Sequence, residues 1–457
     1  MIRIKQVISI LAILCGYSCF AQHIPVIEVP RAATIPNEPL QSTGMTLQRN
    51  MSSKPTSIGF DDAQIRRNNQ ALIQDVERDI KRSATEQQGF KVTQADIAAL
   101  QSRINYSLPS WASRPGAEYY YTAYDRIIAS DSLFSMKDNV FTIENAYFGN
   151  GLDKVEFDKI IDNCRSFLLA AMKERGYDLD SNTAKNFMLF QFFSETLQLN
   201  NSKQKHLPFK YDFEDYTGVH DYSKMFVTKL LQNGSGQCHS MPLLYLILAE
   251  TINAEAYLAL SPNHSYIRFP ADNGKWYNIE LTNGMFSTDS YILQSGYIKS
   301  EALQNNIYMQ NLSRKELLAE QLSDLAQGYI RKYGYDEFVG KTIDKALELS
   351  PNSISVNMVK ANLVKARFEY VVGQIGINPY DRVQLQNIRN FPEVVKLLNA
   401  ANAQFAIIDN LGYEPMPDEA YQKWLQSMNA EKQKRENEAM KQQFKGILEK
   451  PKSKFKG

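Results

Sequence analysis

Cysteine is scarce in this chain, with four residues among 457. That rules out a disulfide-stapled scaffold, whose small domains carry a far higher density. An excess of charge of either sign is missing too. Lys plus Arg number 51 against 50 for Asp plus Glu, a net charge of +1. Such a balance leaves no basic footprint for nucleic acid and none for a strongly anionic surface. The apolar run over residues 7–14 is well short of the about 20 residues that cross a bilayer. The remainder is ordinary globular material, 44% hydrophobic and 11% aromatic, enough for a sizeable core.

The chain divides by composition. Arg3 and Lys5 precede the short apolar run, and Cys19-Phe20-Ala21 precedes Gln22. A charged start, a short apolar centre and a small-residue stop predict a signal peptide over 1–21 and an exported protein, periplasmic or secreted. Membrane association then requires a lipid on Cys15 or Cys19. Beyond the leader only Cys164 and Cys238 remain. They either pair in an oxidising compartment, or one is reactive and the other a buried structural residue. Residues 22–60, rich in Pro, Ser, Thr and Asn, read as a disordered linker. A helical N-terminal segment follows over 61–130, with amphipathic helices expected at 61–88 and 93–104.

Residues 131–312 are denser in apolar and aromatic side chains, and helices are expected at 141–146, 157–175, 183–197 and 225–231. Crowded Phe187, Phe190, Phe192 and Phe193 read as core. Strands are expected at 264–269 and 276–281, joined by the loop Pro270-Ala271-Asp272-Asn273-Gly274. From 313 to 425 the pattern is helical. Leu325, Ala326, Tyr329, Gly334, Ala346, Leu347 and Pro351 resemble a tetratricopeptide repeat (TPR), and 353–372 with 392–410 form a second, interrupted pair. Residues 426–457 read as a basic helical tail, a solvated end, since 431–457 hold nine Lys or Arg against four Glu.

Three stretches stand apart: Gly236-Gln237-Cys238-His239-Ser240, Pro262-Asn263-His264 and Asn278-Ile279-Glu280-Leu281-Thr282. Cys238 follows a glycine-rich turn and precedes an apolar helix over 241–252. A thiol there meets free backbone N–H groups and the positive end of the helix dipole, which lower its pKa below about 8.5. The same N–H groups suit a developing oxyanion. Gly234 and Gly236 would let a substrate backbone approach the sulfur. A hairpin loop centred on Asp272 makes His264 and Glu280 direct cross-strand partners, on a polar face shared with Tyr266, Arg268, Trp276 and Asn278. Ile267, Phe269, Tyr277, Ile279 and Leu281 then share the buried face.

Cys238 as nucleophile, His264 as base and Glu280 as orienting acid make a Cys-His-acid triad. Asn278 is the rival third member, and Gln232 a candidate oxyanion donor; Gln237 and Trp276 count as supporting residues. A zinc site from Cys238, His239 and His264, with Glu280, is the alternative. No second Cys or His falls at a zinc-ligand spacing, so neither a metal nor a cofactor is expected. His239 points elsewhere on its helix, and His206 and His220 read as surface histidines.

Residues 215–284 resemble the transglutaminase-like superfamily, whose fold is a permuted relative of the papain-like one. The likeness rests on Gly236-Gln237-Cys238, on His264, and on Trp276 followed by Glu280, where that family usually has Asp. A closer likeness is to a bacterial branch that joins such a core to TPR-like helices; it includes Asn278 to Gly284 and the helical stretch at 139–148. The resemblance implies an α+β fold, a catalytic domain over 131–312, a TPR-like domain over 313–425, and acyl transfer through a thioester. Peptide or protein substrates follow, and a protein partner for the C-terminal helices. Some members of that family are scaffolds without activity, so a non-catalytic interaction protein is the competing expectation.

Overall fold

Short polar side chains head many helices of this chain, because a first helical turn carries backbone N–H groups without partners of their own. In the computed structural model, which describes residues 70–78, 100–129, 134–200, 204–431, 441–442 and 444–445, the pattern is direct. After α1 (Ala117–Ala129), Ser135 caps α2 (Met136–Tyr147), Asp153 caps α3 (Lys154–Glu174) and Ser181 caps α4 (Asn182–Ser194). α5 (Val227–Asn233) has no capping side chain of its own. Glu144 of α2 takes that role, accepting from Val227 N–H at 2.7 Å and Thr228 N–H at 2.8 Å. Burial pushes the Glu144 carboxyl up to about 7. The expected leader and linker lie outside the described residues, as does most of the stretch at 61–100.

α6 (Ser240–Thr251) is apolar all round and buried on every side from Ser240 to Ala249. A helix of that kind has to be central. α2, α3, α4 and α5 pack around it, together with the first strands of the sheet. Pro242 falls in its first turn, where a missing N–H costs nothing. Leu244, Tyr245, Ile247 and Leu248 are fully buried, each contributing roughly 1.5–3 kcal/mol of apolar transfer.

Four strands form an antiparallel meander in chain order: β1 (Tyr257–Ser261), β2 (His264–Pro270), β3 (Trp276–Glu280) and β4 (Met285–Ser287). β1 and β4 escape the sequence pattern because they are short and nearly continuous in apolar character. The β2–β3 register pairs Ile267 with Ile279 and Arg268 with Asn278. The hairpin is therefore centred on Asn273, one residue beyond the expected Asp272. Ala271 and Lys275 close it through a 2.8 Å bond, and Gly274 takes a φ of +78°, which suits a three-residue loop. Asp272 is drawn aside instead: its carboxylate accepts from Asn182 N–H at 2.9 Å and from the Ser181 hydroxyl, clamping the hairpin tip to the start of α4. The shift moves each pairing by two positions, so the two faces are as expected.

Two helix pairs follow. α7 (Arg314–Tyr333) opens with a capping box made by Ser313 and Glu316, and Gly334 ends it. α8 (Glu337–Leu349) starts at buried Asp336, which also accepts from the Tyr329 hydroxyl at 2.6 Å. α9 (Ile354–Gln374) and α10 (Pro392–Asn410) pack on each other, and α7 lies against α1 and α2. The last long helix, α11 (Asp418–Glu431), crosses the expected boundary at 425. Met416, Tyr421 and Leu425 are buried in the same core as α6, and so is Phe444, which lies in the stretch expected to be a solvated basic tail; at that residue the expectation fails. Apolar side chains spaced along a Lys-rich segment outweigh its average polarity. The architecture is mixed helix and sheet, α+β.

Candidate active site

The cysteine turn is held from three sides. Ser235–Gly236 pairs in parallel with Lys210–Tyr211. A Cβ at Gly236 would stand 2.7 Å from Ser240 Oγ and 2.9 Å from Leu230 Cδ1, so any larger residue would have to push these side chains aside. Gly234, with a φ of +71°, ends α5. Gly236 thus answers to local packing and Gly234 to the left-handed backbone that ends α5. Ser240 Oγ accepts from Gln237 N–H at 2.9 Å, and the Ser265 hydroxyl of β2 donates to the Cys238 carbonyl. Cys238 lies two residues ahead of α6 and is 9% exposed.

β1 and β2 are joined by two residues, Pro262 and Asn263, with Ser261 opposite His264. Pro followed by a residue of positive φ (Asn263, +55°) is the pattern of a type II turn. That turn brings His264 against the thiol, whose Sγ lies 3.9 Å from the Asn263 carbonyl. His264 Nε2 donates to Glu280 Oε2 at 2.7 Å, and both side chains are buried. The other Glu280 oxygen accepts from Thr282 N–H at 3.1 Å. In the register found, Glu280 stands opposite Tyr266, one diagonal step from His264 rather than directly across. Diagonal neighbours are about 7–8 Å apart at the backbone. The extra methylene of Glu over Asp fits that longer reach.

With Nε2 tied to a carboxylate, Nδ1 is the nitrogen left on the side of the thiol, where the Tyr421 hydroxyl also lies 3.3 Å from it. Burial alone would push the Cys238 thiol up, but the hydrogen bond and charge of His264 outweigh it, and the Cys238 pKa falls below its ordinary value. For His264, burial works against the charged form, while the Glu280 charge and the thiol bond prevail and raise it to about 10. The arrangement favours a thiolate–imidazolium pair at neutral pH.

Other expected residues go elsewhere. Asn278 accepts from Arg268 at 3.1 Å and donates to Asp289 at 2.8 Å, so it does not compete for His264. Trp276 sits at the far end of β3, 44% exposed, with the Arg268 guanidinium 5.8 Å from its ring centroid. Gln232 is exposed on the last turn of α5 and is not gathered round the thiol. Gln237 is fully buried, but its amide donates to the Asp215 carbonyl at 3.2 Å, bracing the loop before the turn. His206 is half-buried rather than a surface residue, stacked at 3.6 Å on Phe192 and bonded to the Phe192 carbonyl at 2.7 Å.

His239 faces two acceptors, the Met225 carbonyl at 3.0 Å and the Asp324 carboxylate at 3.0 Å. Both ring nitrogens must then donate, which requires imidazolium. Burial opposes the charge, but Asp324 raises the His239 pKa to about 9. A raised histidine stabilises the fold fully below its unfolded value of about 6.5 and loses that contribution as pH rises through the folded value. Asp324→Asn should therefore cost about 2 kcal/mol of unfolding free energy at pH 6, and the penalty should shrink towards pH 9 in urea titrations. His239 is thereby unavailable as a third ligand beside Cys238 and His264. Among the described residues, no group of three or more His, Cys, Asp or Glu side chains is placed to hold a metal ion. Cys164 and Cys238 are both free.

One feature of the site comes from a part of the sequence far from Cys238 and His264. Tyr421, on α11, places its hydroxyl 3.6 Å from Cys238 Sγ and 3.3 Å from His264 Nδ1. Trp424 stands edge-on to the His264 ring, with centroids 4.8 Å apart. Its only warning was the i, i+3, i+4 spacing of Tyr421, Trp424 and Leu425. Comparison with protein-family models, with curated proteins and with solved structures gives no match.

Proposed function

We propose that this protein is a cysteine-dependent acyl-transfer enzyme, a peptidase, amidase or transamidase, working through a thioester on Cys238. The observation that carries the reading is the division of labour on one ring: Nε2 of His264 is tied to Glu280, and Nδ1 faces the thiol. In the first half-reaction the Cys238 thiolate attacks the amide carbonyl and forms a C–S bond. As the C–N bond breaks, the imidazolium of His264 gives its proton to the departing amine. In the second half, His264 takes a proton from water or from an incoming amine, whose attack breaks the C–S bond. The acid or new amide leaves and the thiolate is restored. Glu280 keeps the ring oriented throughout.

The site is read as a transglutaminase-like core, and α7 to α10 as TPR-like helices that take a protein partner. The leader points to export, with peptides or proteins as substrates. Among the described residues, no helix is long and apolar enough to cross a membrane.

Thiolate absorbance in the ultraviolet, with a Cys238→Ala chain as the blank, tests the reading. Cys238 should ionise well below about 8.5, the ordinary value for a free thiol. Cys164 serves as the contrast, since burial raises its pKa to about 11. An ordinary or raised titration for Cys238 would leave the non-catalytic scaffold as the better account.

A further inference from the structure

We infer that α11 is an intramolecular strap that closes the acyl-transfer site, with Tyr421 standing where the reacting group must pass. The inference rests on the reading of Cys238 and His264 just given, and adds regulation to it. A nucleophile and its base need a reacting atom about 3 Å from both during proton transfer. The Tyr421 hydroxyl holds that position, 3.6 Å from Sγ and 3.3 Å from Nδ1. An oxyanion donor would flank the carbonyl oxygen of a substrate, away from the line between sulfur and imidazole. Tyr421 contacts both, so its hydroxyl takes the space that a departing amine needs beside sulfur and imidazole, and it blocks the site.

The strap is seated by its apolar face. Tyr421 and Leu425 are 2% exposed, while Gln422, Lys423, Gln426 and Ser427 face solvent. Trp424 packs on His264, and Tyr216 lies 5.3 Å from the Tyr421 ring. The Asn263 amide, from the turn that positions His264, donates to the Met416 carbonyl at 3.1 Å. Tyr291 and Ser427 bring their hydroxyls to 3.3 Å at the outer edge. The contacts therefore tie the strap to the same turn and the same ring that the chemistry uses. With it in place, His264 is 5% and Cys238 9% exposed, too little for an acyl donor to reach either. An amide substrate gains access only when α11 lifts.

Alkylation of Cys238 by iodoacetamide at neutral pH, followed by peptide mass spectrometry on the full chain, tests the strap. Tyr421→Ala should speed Cys238 labelling roughly tenfold or more, since the closed state loses the side chain that seats it. Leu425→Ser, on the same buried face of α11 but with no hydrogen-bonding side chain at the site, should act in the same direction. Cys164, on α3, should label at its parent rate in both. Unchanged Cys238 rates in both variants would overturn the strap, and so would equal acceleration of Cys164, which signals general loosening. The two readings separate through the thiolate titration. A low Cys238 pKa with no acceleration sinks the strap alone, whereas an ordinary pKa in parent and variants sinks the catalytic reading as well.

Discussion

His264→Gln is expected to reduce acyl transfer by roughly a thousandfold or more, within or above the range for losing a positioned acid–base group. Two losses coincide. The departing amine has no proton donor, and the thiol loses the hydrogen bond and charge that hold its pKa down. What remains for Cys238 is chiefly burial, which acts in the opposite direction, against the smaller lowering effects of the Tyr421 hydroxyl and the His239 charge. Thiolate absorbance should therefore appear only above the ordinary thiol range. The same variant leaves Glu280, 3% exposed, without its partner. A stranded buried carboxylate costs about 3 kcal/mol or takes up a proton. Urea unfolding near neutral pH should show that penalty. His264→Gln combined with Glu280→Gln should regain much of the stability and none of the activity.

Phe444→Ala carries the largest expected effect on folding, about 3–5 kcal/mol, by analogy with other large aromatic deletions in cores. Its ring is fully buried and stacks at 4.7 Å on Phe286 and at 5.7 Å on Phe187. Tyr277, from β3, approaches it at 4.6 Å. Removing it opens a cavity between the sheet and α4, lined by rigid aromatic side chains that cannot collapse into it. Guanidinium or urea titration reads the loss directly. A change under about 1 kcal/mol would mean that the end of the chain is not part of the core.

Much of the site was legible from local pattern. Gly236 before Cys238, an apolar run behind it, and alternation on either side of a polar loop were enough to pair His264 with Glu280 and to choose Glu280 over Asn278. The loop centre was misplaced by one residue and the pairing by two, because the tie from Asp272 to Ser181 and Asn182 is non-local and leaves no trace in the loop sequence. The roles of the supporting residues were also hidden. Whether Gln237 faces the sulfur or the Asp215 carbonyl depends on a loop more than twenty positions away in the chain. Tyr421 was hidden most completely. Residues 313–425 read as TPR-like helices with no tie to the thiol, and the averaged charge of the segment beyond masked the apolar side chains that decide where it lies.

The hairpin tip has a consequence for which changes the site tolerates. A slip of the β2–β3 pairing by one residue would turn the Glu280 carboxylate to the opposite side of the sheet, because side chains alternate at every step. A slip of two that moved Glu280 towards the loop would keep the side but carry it another diagonal away from His264. The length of that small loop therefore works as a ruler for the distance between acid and imidazole, and its anchorage on α4 keeps the ruler from slipping.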